Sequence, residues 1–172
     1  MEKIQTHLIG KTLTSNSKSA YQMSKKSYFG EKVGEKIQYM PTEAFYLFEK
    51  NQLEIFQKSK KLPNEEIVKK LQKIDKKFQE KYIVFKDLRK KGYIVKTALK
   101  FGAEFRVYSK GKKPGQEHAK WLVITEKESN KINWHEFSSK NRVAHSTKKN
   151  LLLGLIDEEG KVIYYEISWI KP

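Results

Sequence analysis

Residues 142–157 read RVAHSTKKNLLLGLID, and the change of pattern inside that stretch decides the fold. Up to His145 it continues a helix whose start lies at Asn133. Asn133 is a cap residue with Glu136 three positions on and Ile132 placed to staple against Phe137. From Leu151 to Asp157 the residues are continuously apolar over a length that suits a buried strand. The acidic turn Asp157-Glu158-Glu159-Gly160 then reverses the chain, and Val162 to Ile170 returns as an alternating strand.

Working back from there, a helix is expected from Tyr82 to Lys91, ended by Gly92 just past its last turn. Strands follow at Tyr93 to Leu99, Glu104 to Ser109 and Ala119 to Thr125. This describes a C-terminal lobe with a mixed sheet flanked by helices. The first half alternates short elements. Lys36 to Met40 reads as a strand, and Pro41 opens a helix over Thr42 to Lys50, where its missing N–H costs nothing. Asn51 is a left-handed stop. After a polar loop, Gln57 to Lys61, and Pro63, a second helix begins with Asn64 as its cap. Its apolar residues Ile67, Leu71, Ile74 and Phe78 form one stripe. No Gly/Ser-rich linker is present, and the boundary is placed near Glu80. The class is α+β, with a small mixed N-terminal lobe over 1–80 and a C-terminal lobe, a mixed sheet flanked by helices, over 81–172.

The 172 residues carry 36 Lys plus Arg against 20 Asp plus Glu, a net charge of +16. That balance points to a polyanionic partner. Only Arg89, Arg106 and Arg142 are arginines. A lysine excess suits attraction to phosphates better than bidentate reading of bases. Lysine-rich surfaces are also a habit of heat-adapted proteins. The chain has no cysteine, which removes disulfides, zinc thiolate sites and thiol nucleophiles together. It also lacks a run of about 18 apolar residues and an apolar leader. A cytoplasmic protein away from membranes is the expectation.

Three blocks stand out in the second half: DLRKKGYIVKTALKFGAEFRVY (87–108), EHAKWLV (117–123) and RVAHSTKKNLLLGLID (142–157). In this order they resemble the catalytic subunit of the archaeal tRNA-splicing endonucleases, from about Tyr82 to Pro172. A weaker likeness, SYFGEKVGEKIQYMPTEAFYLFEKNQLEIF (27–56), covers that family's N-terminal domain. Ala98 stands where the family usually has glycine and Glu104 where it has aspartate. Thr147 and Lys148 replace a common valine and arginine.

The resemblance implies a catalytic set of Tyr108, His118 and Lys149. Cutting RNA through its own 2′-hydroxyl needs that hydroxyl deprotonated, charge on the pentacoordinate phosphorus neutralised and the departing 5′-oxygen protonated. Histidine, with a pKa near neutrality, suits the last task, and lysine, a compact cation, suits the second. Tyr108 as general base depends on a nearby cation, because a phenol ordinarily ionises near pH 10. The products implied are a 2′,3′-cyclic phosphate and a 5′-hydroxyl, with no cofactor and no metal. Each residue also has an ordinary reading, as strand-end packing for Tyr108, a solvated loop for His118 and surface charge for Lys149. His145, at a helix end, His135, in a first helical turn, and His7, near the N-terminus, are weaker candidates for that role.

Further residues are implied by the same likeness. Arg142 would stack on a bulged base, with Lys148 as a basic contact and either Tyr164 or Trp169 as the other half of the clamp. The alternative for Arg142 is a surface ion pair. Asp157, Glu158 and Glu159 would enter a basic groove on a neighbouring subunit, or else form an ordinary hairpin turn. The implied substrate is precursor tRNA folded as a bulge-helix-bulge. The implied assembly is a homotetramer, or a heterotetramer with a non-catalytic structural subunit. Two other classes remain open: a non-catalytic RNA-binding or structural subunit, and a metal-dependent nuclease using Asp87 and Glu104.

Overall fold

The computed structural model describes residues 2–172 and divides into two units, Met1–Gln79 and Glu80–Pro172. In the first, strands β1 (Ile4–Ile9), β2 (Thr12–Ser15), β3 (Glu31–Val33), β4 (Lys36–Tyr39), β5 (Leu53–Gln57) and β6 (Lys60–Lys61) form one sheet. Its order is β3-β4-β2-β1-β5-β6, with β1 and β5 parallel and the other pairs antiparallel. Helices α1 (Lys18–Ser27), α2 (Pro41–Glu49) and α3 (Asn64–Ile74) complete it. Ile4, Leu13, Ile37, Leu47 and Leu53 are among its fully buried side chains.

Three details of this unit depart from the sequence reading. Pro63, extended at φ −62° and ψ 145°, is the cap of α3, and Asn64 is already its first helical residue, with no side-chain cap bond. The apolar stripe also breaks before Phe78. Asp75 leaves the helix at φ −136° and takes the Lys77 N–H on its carboxylate at 3.0 Å, so the chain turns and Phe78 opens the next helix. Phe78 is buried as the spacing suggested, but from a different element. The loop expected at Gln57 to Lys61 holds the short strand β6.

The second unit follows the pattern of its sequence closely. Helix α4 (Phe78–Lys90) starts four residues earlier than expected and leads to strands β7 (Ile94–Thr97), β8 (Phe105–Tyr108), β9 (Trp121–Lys127), β10 (Asn150–Ile156) and β11 (Val162–Ile167). A 3-10 turn, Leu99–Phe101, follows β7, and helix α5 (Trp134–Ser146) joins β9 to β10. The sheet runs β11-β10-β9-β8-β7, with β9 and β10 parallel and the rest antiparallel. This is the mixed sheet with flanking helices. Parallel neighbours cannot be joined by a tight turn, so the crossover helix α5 is required.

Helices α4 and α5 cover opposite faces of this sheet. Leu122, Ile124, Leu151 and Leu153 pack with Ala144, Val143 and Phe137 of α5. Phe85 of α4 meets Phe105 with ring centroids 5.8 Å apart. A Cβ on Gly154 would stand 3.2 Å from Val84, so glycine lets α4 approach β10 closely.

Candidate active site

Strand register brings distant residues to one end of the sheet. Val107, Trp121 and Asn150 share a row across β8, β9 and β10. Lys120 gives its N–H to Val107 and accepts one from Asn150. Tyr108 and Lys149 therefore stand one residue beyond that row, on either side of Lys120, roughly 10 Å apart at the usual strand spacing. His118 lies two residues before Lys120, at the close of the loop that leads into β9.

All three line one open cavity of about 780 Å³, together with Lys100, Phe101, Arg106, Gly115, Gln116, Glu117, Ala119, Ser146, Thr147 and Lys148. Tyr108 is buried and His118 exposed. Four of the lining residues are lysines or arginine and one, Glu117, is acidic. Glu117 is already paired with Lys112 at 2.5 Å. The cavity thus presents cations to whatever enters, which suits a phosphodiester.

Lys149 is presented by the way α5 ends. Lys148 adopts a left-handed conformation at φ 56°. Its N–H bonds the His145 carbonyl at 3.0 Å, and the Lys149 N–H bonds that of Ala144 at 2.8 Å. This paired closure is the usual way to satisfy the last carbonyls of a helix, and it normally uses glycine at the left-handed position. The ends of α2 and α4 close in the same way through Asn51 at φ 57° and Gly92 at φ 87°, as their sequence announced. The use of a lysine at the third was not legible. The Lys149 ammonium donates to the Thr147 carbonyl at 2.8 Å. Burial first, and then the charges of Arg106 and Lys100, hold its pKa below the usual lysine value.

The two clamp candidates separate. Tyr164 donates its hydroxyl to the Asp87 carboxylate on α4 at 2.7 Å and carries Lys91 over its ring, away from the cavity lining. Burial, reinforced by that carboxylate, pushes its pKa well up. Trp169 is half exposed and meets His145 edge-on, centroids 4.6 Å apart. His145 is one helical turn from the exposed Arg142 on α5, so Arg142 and Trp169 flank the same stretch of helix.

The acidic turn lies at the other end of β10, and its three residues differ. Asp157 is consumed in the hairpin, accepting the Lys161 N–H at 2.8 Å. Glu159 pairs with the Lys161 ammonium at 2.5 Å, and Glu158 is exposed. Asp87 and Glu104 do not line the cavity, and Asp87 is held by Tyr164 and Lys91. Among the described residues no group of three or more His, Asp or Glu is placed to hold a metal ion, and no helix is long and apolar enough to cross a membrane. Sequence reasoning passed over Lys100, Phe101 and Arg106. Arg106 had a signal, since it stands two residues from Tyr108 on a strand and so shares its face.

Comparison with known sequences gives the family. The family model for the catalytic C-terminal domain of tRNA intron endonuclease matches residues 78–164, and that for the N-terminal domain matches residues 4–68. The chain belongs to the tRNA intron endonuclease family. A tRNA-splicing endonuclease of Nanoarchaeum equitans is 46% identical over 136 residues, 76% of this chain and 87% of that protein. The one from Thermococcus onnurineus is 38% identical over 171 residues, 99% of this chain and 98% of its own. That of Methanothermobacter thermautotrophicus is 38% identical over 89% of each. Tyr108, His118 and Lys149 all lie within the span of the catalytic-domain match.

Proposed function

We propose that this chain is the catalytic subunit of a tRNA-splicing endonuclease, cutting precursor tRNA at bulge-helix-bulge junctions without a metal ion. The observation that carries this reading is the convergence of Tyr108, His118 and Lys149 on one cation-lined cavity. Tyr108, as general base, takes the proton of the ribose 2′-hydroxyl, whose oxygen attacks the adjacent phosphorus. Lys149 stabilises the charge that builds on the phosphoryl oxygens. The bond from phosphorus to the 5′-oxygen breaks, and His118 supplies the proton to that oxygen. The ends left are a 2′,3′-cyclic phosphate and a 5′-hydroxyl.

Arg142 and Trp169 would hold a bulged base between a guanidinium face and an indole. The geometry favours Trp169 over Tyr164, whose hydroxyl is committed to Asp87. Lys148 would add a phosphate contact at the rim. The working form is a tetramer, of one kind of chain or of this chain with a non-catalytic partner, with Glu158 and Glu159 at a contact between subunits. A purely structural subunit would have no use for a buried tyrosine, a histidine and a lysine around one cationic cavity. The deciding experiment incubates a bulge-helix-bulge RNA with the protein in excess chelator and identifies the new ends. Cyclic phosphate and 5′-hydroxyl are expected, whereas loss of cutting or 5′-phosphate ends would refute the mechanism.

A further inference from the structure

Two ammonium groups share one aromatic ring beside the cavity. The Nζ of Lys149 lies 5.2 Å and that of Lys100 5.3 Å from the centroid of Phe101. Both are within the roughly 6 Å reach of a cation–π contact. The ring itself is anchored. Phe101 packs against the buried cluster of Ala98, Ala103, Leu122 and Ala144, and its N–H bonds the Ala98 carbonyl at 2.8 Å. Ala144 is also the residue whose carbonyl receives the Lys149 N–H. Ring and lysine are therefore fixed to a common base.

Lys149 needs such support. Among the described residues no carboxylate forms an ion pair with it, and the one hydrogen bond of its ammonium is to the Thr147 carbonyl. Arg106 from β8 and Lys100 from the 3-10 turn both oppose its charge. Tyr108, His118, Lys148 and Glu117 are the other titratable groups around the cavity, and Glu117 is occupied by Lys112. The electron-rich face of Phe101 is the counterweight that neighbouring side chains otherwise lack. With one N–H on Thr147 and the ring on another side, the remaining N–H groups of the ammonium are left for a phosphate.

We propose that Phe101 is a positioning residue for cleavage, its ring face holding the Lys149 ammonium, charged and aimed, at the place of the scissile phosphate. This rests on the role given to Lys149 above. The test measures single-turnover cleavage of a bulge-helix-bulge RNA across pH for Phe101→Leu, Phe101→Tyr and Lys149→Ala. Leucine keeps apolar bulk and removes the π face. It should slow cleavage about two- to thirtyfold with RNA affinity unchanged. Because the ring favours the charged form, its loss should also move the alkaline limb of the rate profile to lower pH. Tyrosine, which keeps the face, should retain the wild-type rate and limb. Phe101→Met gives the same contrast should the leucine variant not fold. A wild-type rate and profile in the leucine or methionine variant overturns the proposal, as does equal impairment by leucine and tyrosine. If Lys149→Ala is inactive beside an unimpaired Phe101→Leu, only the role of Phe101 falls. If Lys149→Ala cuts normally, the role of Lys149 falls with it.

Discussion

The N–H of Lys149 reaches back 2.8 Å to the carbonyl of Ala144, across a left-handed Lys148. One cap thus ends α5, starts β10 and sets the direction of the residue assigned to the phosphate. The arrangement is strained at its centre, because a lysine there carries a Cβ where glycine would carry none.

That strain gives a stability prediction. Lys148→Gly should raise resistance to urea by about 1 kcal/mol, while Lys148→Val, β-branched at positive φ, should lower it by at least as much. Equilibrium unfolding of the two variants checks it. Equal stability of the glycine and valine forms would mean that the left-handed cap does not form.

Removing the proposed general acid should act on chemistry and not on binding. His118→Ala should slow single-turnover cleavage by roughly 10² to 10⁴ with RNA affinity nearly unchanged. The exposed position of His118 means the substitution costs the fold little. Wild-type rates in the variant would take His118 out of the mechanism.

The separation of Trp169 from Tyr164 predicts opposite outcomes. Trp169→Ala and Arg142→Ala should each weaken cleavage of bulged RNA between about five- and a hundredfold, the worth of one stacked base. Tyr164→Phe should leave the rate alone and cost about 1.5 kcal/mol of stability, because it removes a hydrogen bond to the charged Asp87 carboxylate. A cleavage defect confined to the Tyr164 variant would reverse the assignment.

The acidic turn divides into a structural and an assembly part. Asp157→Ala should lower hairpin stability, since it removes the carboxylate that accepts the Lys161 N–H. Changing Glu158 and Glu159 to lysine should shift the protein to smaller species, with activity falling in parallel, as should added salt on the wild type. Along β10 the turn is more than about 20 Å from Lys149, so activity lost without any change in size by light scattering would contradict an assembly role.

The sequence by itself determined the class of fold and the basic charge that suits a polyanionic partner, and its likeness to a family named three residues to watch. The apolar run from Leu151, the alternation from Val162, which the structure ends at Ile167 and not at Ile170, the Asn133 cap with its bond to Glu136, and Gly92 and Asn51 as helix stops are local signals, set by backbone sterics and hydrogen bonding within a few residues. Net charge needs no structure at all. Boundaries were less legible: the spacing of Phe78 continued the α3 stripe although Asp75 had already broken the helix. Only the tertiary structure placed Lys100, Phe101 and Arg106 around Lys149, turned Tyr164 toward Asp87 and set Trp169 against His145. The reason is physical. Those meetings depend on the register of strands far apart in sequence and on the face each helix presents, and a contact between distant residues leaves no periodic mark in either segment.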